Sequence, residues 1–155
     1  MRNLVVFLGL FGVMCIWGCK TSKNVATPKI DEQVMSEKNK LKREWVLKTI
    51  EGNEVGNKML LTLNNKPYIN LTENLKGFGG CNTIGGGELE TKGDKISFEK
   101  IFSTRKACMG DAGKIETIFL DILNQTKHYK TEGHFLMLLD ENGKKLATLI
   151  AIDWD

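Results

Sequence analysis

The sequence predicts an α+β domain, built as a mostly antiparallel, strongly curved β-sheet (a meander, partly barrel-like) with one main packed α-helix. Three observations carry this expectation. Short segments alternate apolar and polar residues between turns rich in Gly, Asn and Pro. A single segment, "DAGKIETIFLDILNQTKHY", spaces Ile115, Ile118, Phe119, Ile122 and Leu123 at i, i+3, i+4, i+7 and i+8, one face of a helix. About 115 residues remain after an N-terminal export sequence and a polar tether, which suits one compact domain with one core.

Taken in order, "EWVLKTI" (44–50) reads as a half-buried strand with Trp45, Leu47 and Thr49 on one face. "EGNEVGN" supplies turn chemistry, and "KMLLTLN" and "PYINLT" read as two strands joined by "NNKP". After a glycine-rich stretch, "GELETKGDKISFEKI" reads as a hairpin around Lys-Gly-Asp. Asp111 stands at the expected N-cap of the helix. The tail, "HYKTE", "HFLMLLD" and "KLATLIAIDW", reads as a three-stranded meander, its last turn a two-residue Asn142-Gly143 type I′ turn.

The first 40 residues speak of export. Arg2 precedes an apolar run from Leu4 to Trp17, too short to span a membrane comfortably and suited to a secretory signal. "IWGC" has the form of a lipobox, with cleavage before Cys19 and lipidation of its sulfur. The expected division is therefore 1–18 signal peptide, 19–40 flexible tether and 41–155 globular domain. Random-coil scaling gives the tether a reach of about 25 Å. Lys20 after the lipidated cysteine, in place of aspartate, favours the outer membrane, so the expected location is the cell envelope, with the domain outside the cytoplasm.

Composition excludes some functions. Of 22 cations against 19 acids, Arg2 leaves with the signal, and the remaining 21 give about +2, too mild for nucleic acid. A monomer is expected. Of four cysteines, Cys15 is discarded and Cys19 lipidated, which leaves Cys81 and Cys108 in an oxidising compartment. A bond between them would tie the stretch "GFGGCNTIGGG" to the approach of the helix. The glycines would let the backbones come close enough, and Asn82 suits such a turn. A phosphate-cradling reading of that stretch fails, because a hairpin and not a helix follows it.

Candidate chemistry is sparse. His128 and His134 are the only histidines; they are not at metal-ligand spacing, and no C-x-x-C exists, so no metal and no cofactor are expected. Ser103 or Cys108 with His128 could be imagined as nucleophile and base, but there is no G-x-S-x-G, and an oxidised cysteine cannot attack. Asp153 and Asp155 read as solvated terminal charge.

"GGCN" at 79–82, "STRKAC" at 103–108, a helix with Glu116 and Phe119, "LMLLDENGKKL" at 136–146 and the early "WVL" at 45–47 together resemble the META domain, or HslJ-like, family over about residues 41–152. The resemblance implies a small α+β domain on secreted or lipid-anchored bacterial proteins, with links to stress and envelope functions and no catalytic activity. One departure is the lack of an aromatic after "GCNTIGGG". Asn82, Ser103, Thr104 and Arg105 are the polar motif positions that could form a binding surface. The expected function is a non-catalytic, lipid-anchored envelope protein that binds an envelope partner or supports stress tolerance. Alternatives are an envelope hydrolase using the polar cluster near Asn82 and Arg105, or a carrier of a small apolar ligand in a curved sheet.

Overall fold

A computed structural model describes residues 39–72 and 74–153. The expected signal peptide, Cys19 and nearly all of the expected tether lie outside the described residues. Leu41 already belongs to the domain: it is buried, and its carbonyl accepts the indole N–H of Trp45 at 3.0 Å.

The elements are β1 (Glu44–Ile50), α1 (Glu54–Thr62), β2 (Tyr68–Leu71), β3 (Asn74–Phe78), β4 (Thr83–Lys92), β5 (Lys95–Phe98), β6 (Phe102–Ser103), α2 (Asp111–Gln125), β7 (His128–Glu132), β8 (Phe135–Leu139) and β9 (Lys145–Ala151). Every strand pairing is antiparallel, and the sheet runs β3-β2-β1-β9-β8-β7-β5-β4-β6. A further pairing of β3 with β4 brings the sheet round on itself, the strong curvature that the sequence predicts. The thinnest seam is β5 with β7, where only Lys95 and His128 stand in register.

The core fills this curl. Trp45, Leu47, Ile69, Leu136, Leu138 and Leu149 face inward from the strands, and Ile115, Phe119 and Leu123 face them from α2. These are the alternate positions of the strands and the predicted stripe of the helix, so burial of apolar area fixes both. Ile118, expected in that stripe, is only half-buried.

Four local expectations are corrected. "KMLLTLN" is not a strand: residues Glu54–Thr62 form α1. Asn53 caps it by accepting the Gly56 N–H at 2.7 Å, and Asn57 ties it to β1, accepting from the Ile50 N–H at 2.7 Å and donating to the Ile50 carbonyl at 2.8 Å. A polar side chain that satisfies both groups at the end of a strand turns the chain into a helix there. Asn57→Ala should therefore cost about 1–2 kcal/mol in denaturant unfolding, with α1 amides exchanging faster; an unchanged midpoint would show that α1 is held by packing alone.

Thr49 does not share the buried face of Trp45 and Leu47, because the β1–β9 register shifts after Leu47 and Ile50 turns in instead. Asp111 is not the N-cap: Gly110, at φ 72°, holds that position without a side-chain cap, and Asp111 sits in the first turn, 3.6 Å from Lys114. The β8–β9 connection is not a two-residue type I′ turn. Gly143 alone has positive φ there, its N–H bonds to the Asp140 carbonyl, and the Asp140 carboxylate accepts from Asn142 and Lys144 at 2.9 Å. That is a longer turn with glycine in the left-handed position.

Candidate functional site

The glycine-rich stretch runs along β3, turns at residues 79–82 and continues as β4. At the turn Cys81 is bonded to Cys108, with Cα atoms 5.9 Å apart. The bond joins the β3–β4 corner to the segment that leads into α2.

Asn82 is the hub of this corner. It is only 4% exposed. Its Oδ1 accepts from the Thr104 hydroxyl at 2.9 Å and from the Lys106 N–H at 2.8 Å. Its Nδ2 donates to Glu116 Oε1 at 2.8 Å and lies 3.0 Å from Cys108 Sγ. One amide thus satisfies the connection 103–108 on its acceptor side and α2 on its donor side.

Glu116, 7% exposed, completes the corner. Its Oε2 accepts the backbone N–H groups of Cys81 and Asn82, and its Oε1 accepts from the Asn82 amide. A buried carboxylate is tolerable only with such donors around it, and here three converge. Glycine at 79 makes room for it, since a Cβ there would lie 2.6 Å from Glu116 Cγ. Gly80 takes φ +125°, a conformation other residues resist.

Of the four polar motif positions, Asn82 is buried, Ser103 half-buried, and Thr104 and Arg105 exposed. Ser103 is paired with Ile84, and the Thr104 hydroxyl is spent on Asn82. Glu116, quoted above as a motif residue of the helix but not as a site residue, is the side chain that completes the corner. The available signal was an acid placed beside the apolar stripe of α2, between Ile115 and Phe119.

Recesses open to solvent among the described residues. A shallow one of about 560 Å³ adjoins Asn82, Lys106, Cys108 and Lys114. A groove of about 730 Å³ lies at the β5–β7 seam, lined among others by Glu90, Lys95, Ser97, Lys127, His128 and Glu141. His128 Nδ1 is 3.1 Å from Asp94 Oδ2, which fixes the ring. Ser97 lines the same groove without a hydrogen bond to His128. His128 and Asn82 thus line different recesses, and Arg105 lines neither. No cluster of three or more metal-ligating side chains occurs among the described residues, and none of their helices is long and apolar enough to cross a membrane.

The arrangement of "GGCN", the 103–108 connection and Glu116 on α2 is the point at which known families can be compared. The META domain model matches residues 39–151. The chain belongs to the META domain family. Solved structures share the fold of this META domain. One is an NMR structure of a protein from Burkholderia xenovorans, 23% identical, with TM-score 0.59, covering 77% of this chain and 88% of that one. Another is a crystal structure of a DUF4847 family protein from Bacteroides vulgatus, 15% identical, with TM-score 0.52, covering 77% of this chain and 99% of that one. No curated protein matches the chain.

Proposed function

We propose that this is a lipid-anchored cell-envelope protein whose META domain is a non-catalytic binding module, acting on an envelope partner or in stress tolerance. The observation that carries the reading is the commitment of Asn82, Thr104 and Glu116 to one another. The polar residues that a hydrolase at this corner would use are holding the glycine turn, and His128 stands in a separate groove. A carrier of apolar ligands would need room inside the curled sheet, where Trp45, Leu47, Ile69 and Phe119 are packed. The anchor is supported by the "IWGC" lipobox and the polar stretch after it.

The test is metabolic labelling with palmitate in a bacterial host, followed by membrane fractionation. The chain is expected to take up label and sediment with membranes, and Cys19→Ser to lose both. Label retained by Cys19→Ser would remove the anchor from the reading.

A further inference from the structure

The segment between β5 and α2 brings exposed apolar and cationic side chains together. Two exposed apolar side chains bracket it: Phe102, 66% exposed, and Met109, 91% exposed. Between and beside them stand Lys100, Arg105 and Lys106, all exposed and all without an ion-pair partner among the described residues. Over residues 99–110 Glu99 is the single acid.

The rim is also rigid. Phe102 and Ser103 pair with Gly85 and Ile84, and the Thr104 N–H bonds to the Thr83 carbonyl at 3.0 Å. The Lys106 N–H bonds to Asn82, and Cys108 is covalently fixed to Cys81. The Phe102 ring lies directly on Gly85, where a Cβ would come within 2.6 Å of Cζ. A backbone so fixed has little ordering entropy of its own left to lose when something covers the rim.

We propose that this rim docks the domain onto a membrane surface bearing anionic lipid headgroups. Arg105, Lys106 and Lys100 meet phosphates, while Phe102 and Met109 enter the boundary between headgroups and acyl chains. Charge complementarity favours this occupant, three exposed cations against one acid over residues 99–110, and the exposed Phe102 and Met109 suit a yielding lipid interface. A second copy of the chain would set these cations against one another. The inference rests on the anchored reading above for placing a bilayer within reach of the domain.

The experiment uses the chain from residue 19 onward with Cys19→Ser, so that no acyl chain contributes; every strand and helix of the fold lies within it. It is sedimented with phosphatidylcholine vesicles, with or without about 30 mol % phosphatidylglycerol, at about 50 mM and about 500 mM salt. Binding is expected only to the anionic vesicles and is lost at high salt. R105E/K106E, a change of four charge units, should weaken it by about 1,000-fold, and F102S/M109S roughly tenfold. Both pairs are on the surface, and an unchanged melting curve certifies their fold. Equal binding to neutral vesicles, binding unaffected by R105E/K106E, or binding to soluble polyglutamate but not to vesicles would each overturn the proposal. The last would mark an acidic protein as the occupant. Palmitate labelling of the lipidated chain is read separately, so loss of the anchor and loss of the rim are distinguishable results.

Discussion

Asn82→Asp, which changes one amide nitrogen to oxygen, is expected to destabilise the domain by about 3–5 kcal/mol in urea unfolding. The donor that reaches Glu116 Oε1 at 2.8 Å becomes an acceptor, and two carboxylates face each other in a buried corner. The same oxygen is set against Cys108 Sγ and the Lys106 carbonyl, which the amide had faced. Sterics are unchanged, so the loss reports hydrogen bonding and charge. Glu116→Gln added to this variant places an amide donor opposite the new carboxylate and leaves Oε2 to accept from Cys81 and Asn82. The double variant should therefore recover at least about 1 kcal/mol. A cost below about 1 kcal/mol for the single change, or a double variant no more stable than the single, would show that the corner is held by the disulfide and packing and not by this amide.

That corner also marks the boundary of what the sequence discloses. β1, the β7–β8–β9 meander and the apolar face of α2 were legible, because each carries its own period of burial within a few residues. The first half of β4 was not, since Gly85, Gly86 and Gly87 have no side chains to alternate, and pairing with β3 and β6 is what makes the stretch a strand. α1 was missed because Met59, Leu60 and Leu61 in a row match a strand as well as a helix. Its decisive signals, the Asn53 cap and the Asn57 bridge to Ile50, are single polar residues with no period. The motif residue Asn82 was correctly singled out, yet its surroundings depend on Glu116, 34 positions away. A polar residue quoted from a motif can mark a ligand site or a buried joint, and only the three-dimensional partners decide which.

Removal of the Cys81–Cys108 bond, by Cys81→Ser with Cys108→Ser, is expected to lower stability by about 3 to 4 kcal/mol. The two cysteines are 27 positions apart, and the loop they close contains the β4–β5 hairpin and β6. Two accounts of that cost make different predictions. If the bond acts by restricting the unfolded chain, the native corner survives its loss, because Asn82 still joins Thr104, Lys106 and Glu116. The Cys81 and Asn82 amides would then keep the hydrogen-exchange protection that Glu116 gives them relative to global unfolding. If instead the bond holds the rim in place against its own tendency to leave β4, those amides exchange by local opening, well before the strands. The Asn82 network connects the same two segments without the covalent link, so the first result is expected. In that case the cysteine pair acts chiefly on the unfolded chain and Asn82→Asp on the folded one, and their combined cost should be additive but for the contact that Asn82 Nδ2 makes with Cys108 Sγ at 3.0 Å. A combined cost well above the sum would show that bond and amide replace one another in the folded corner.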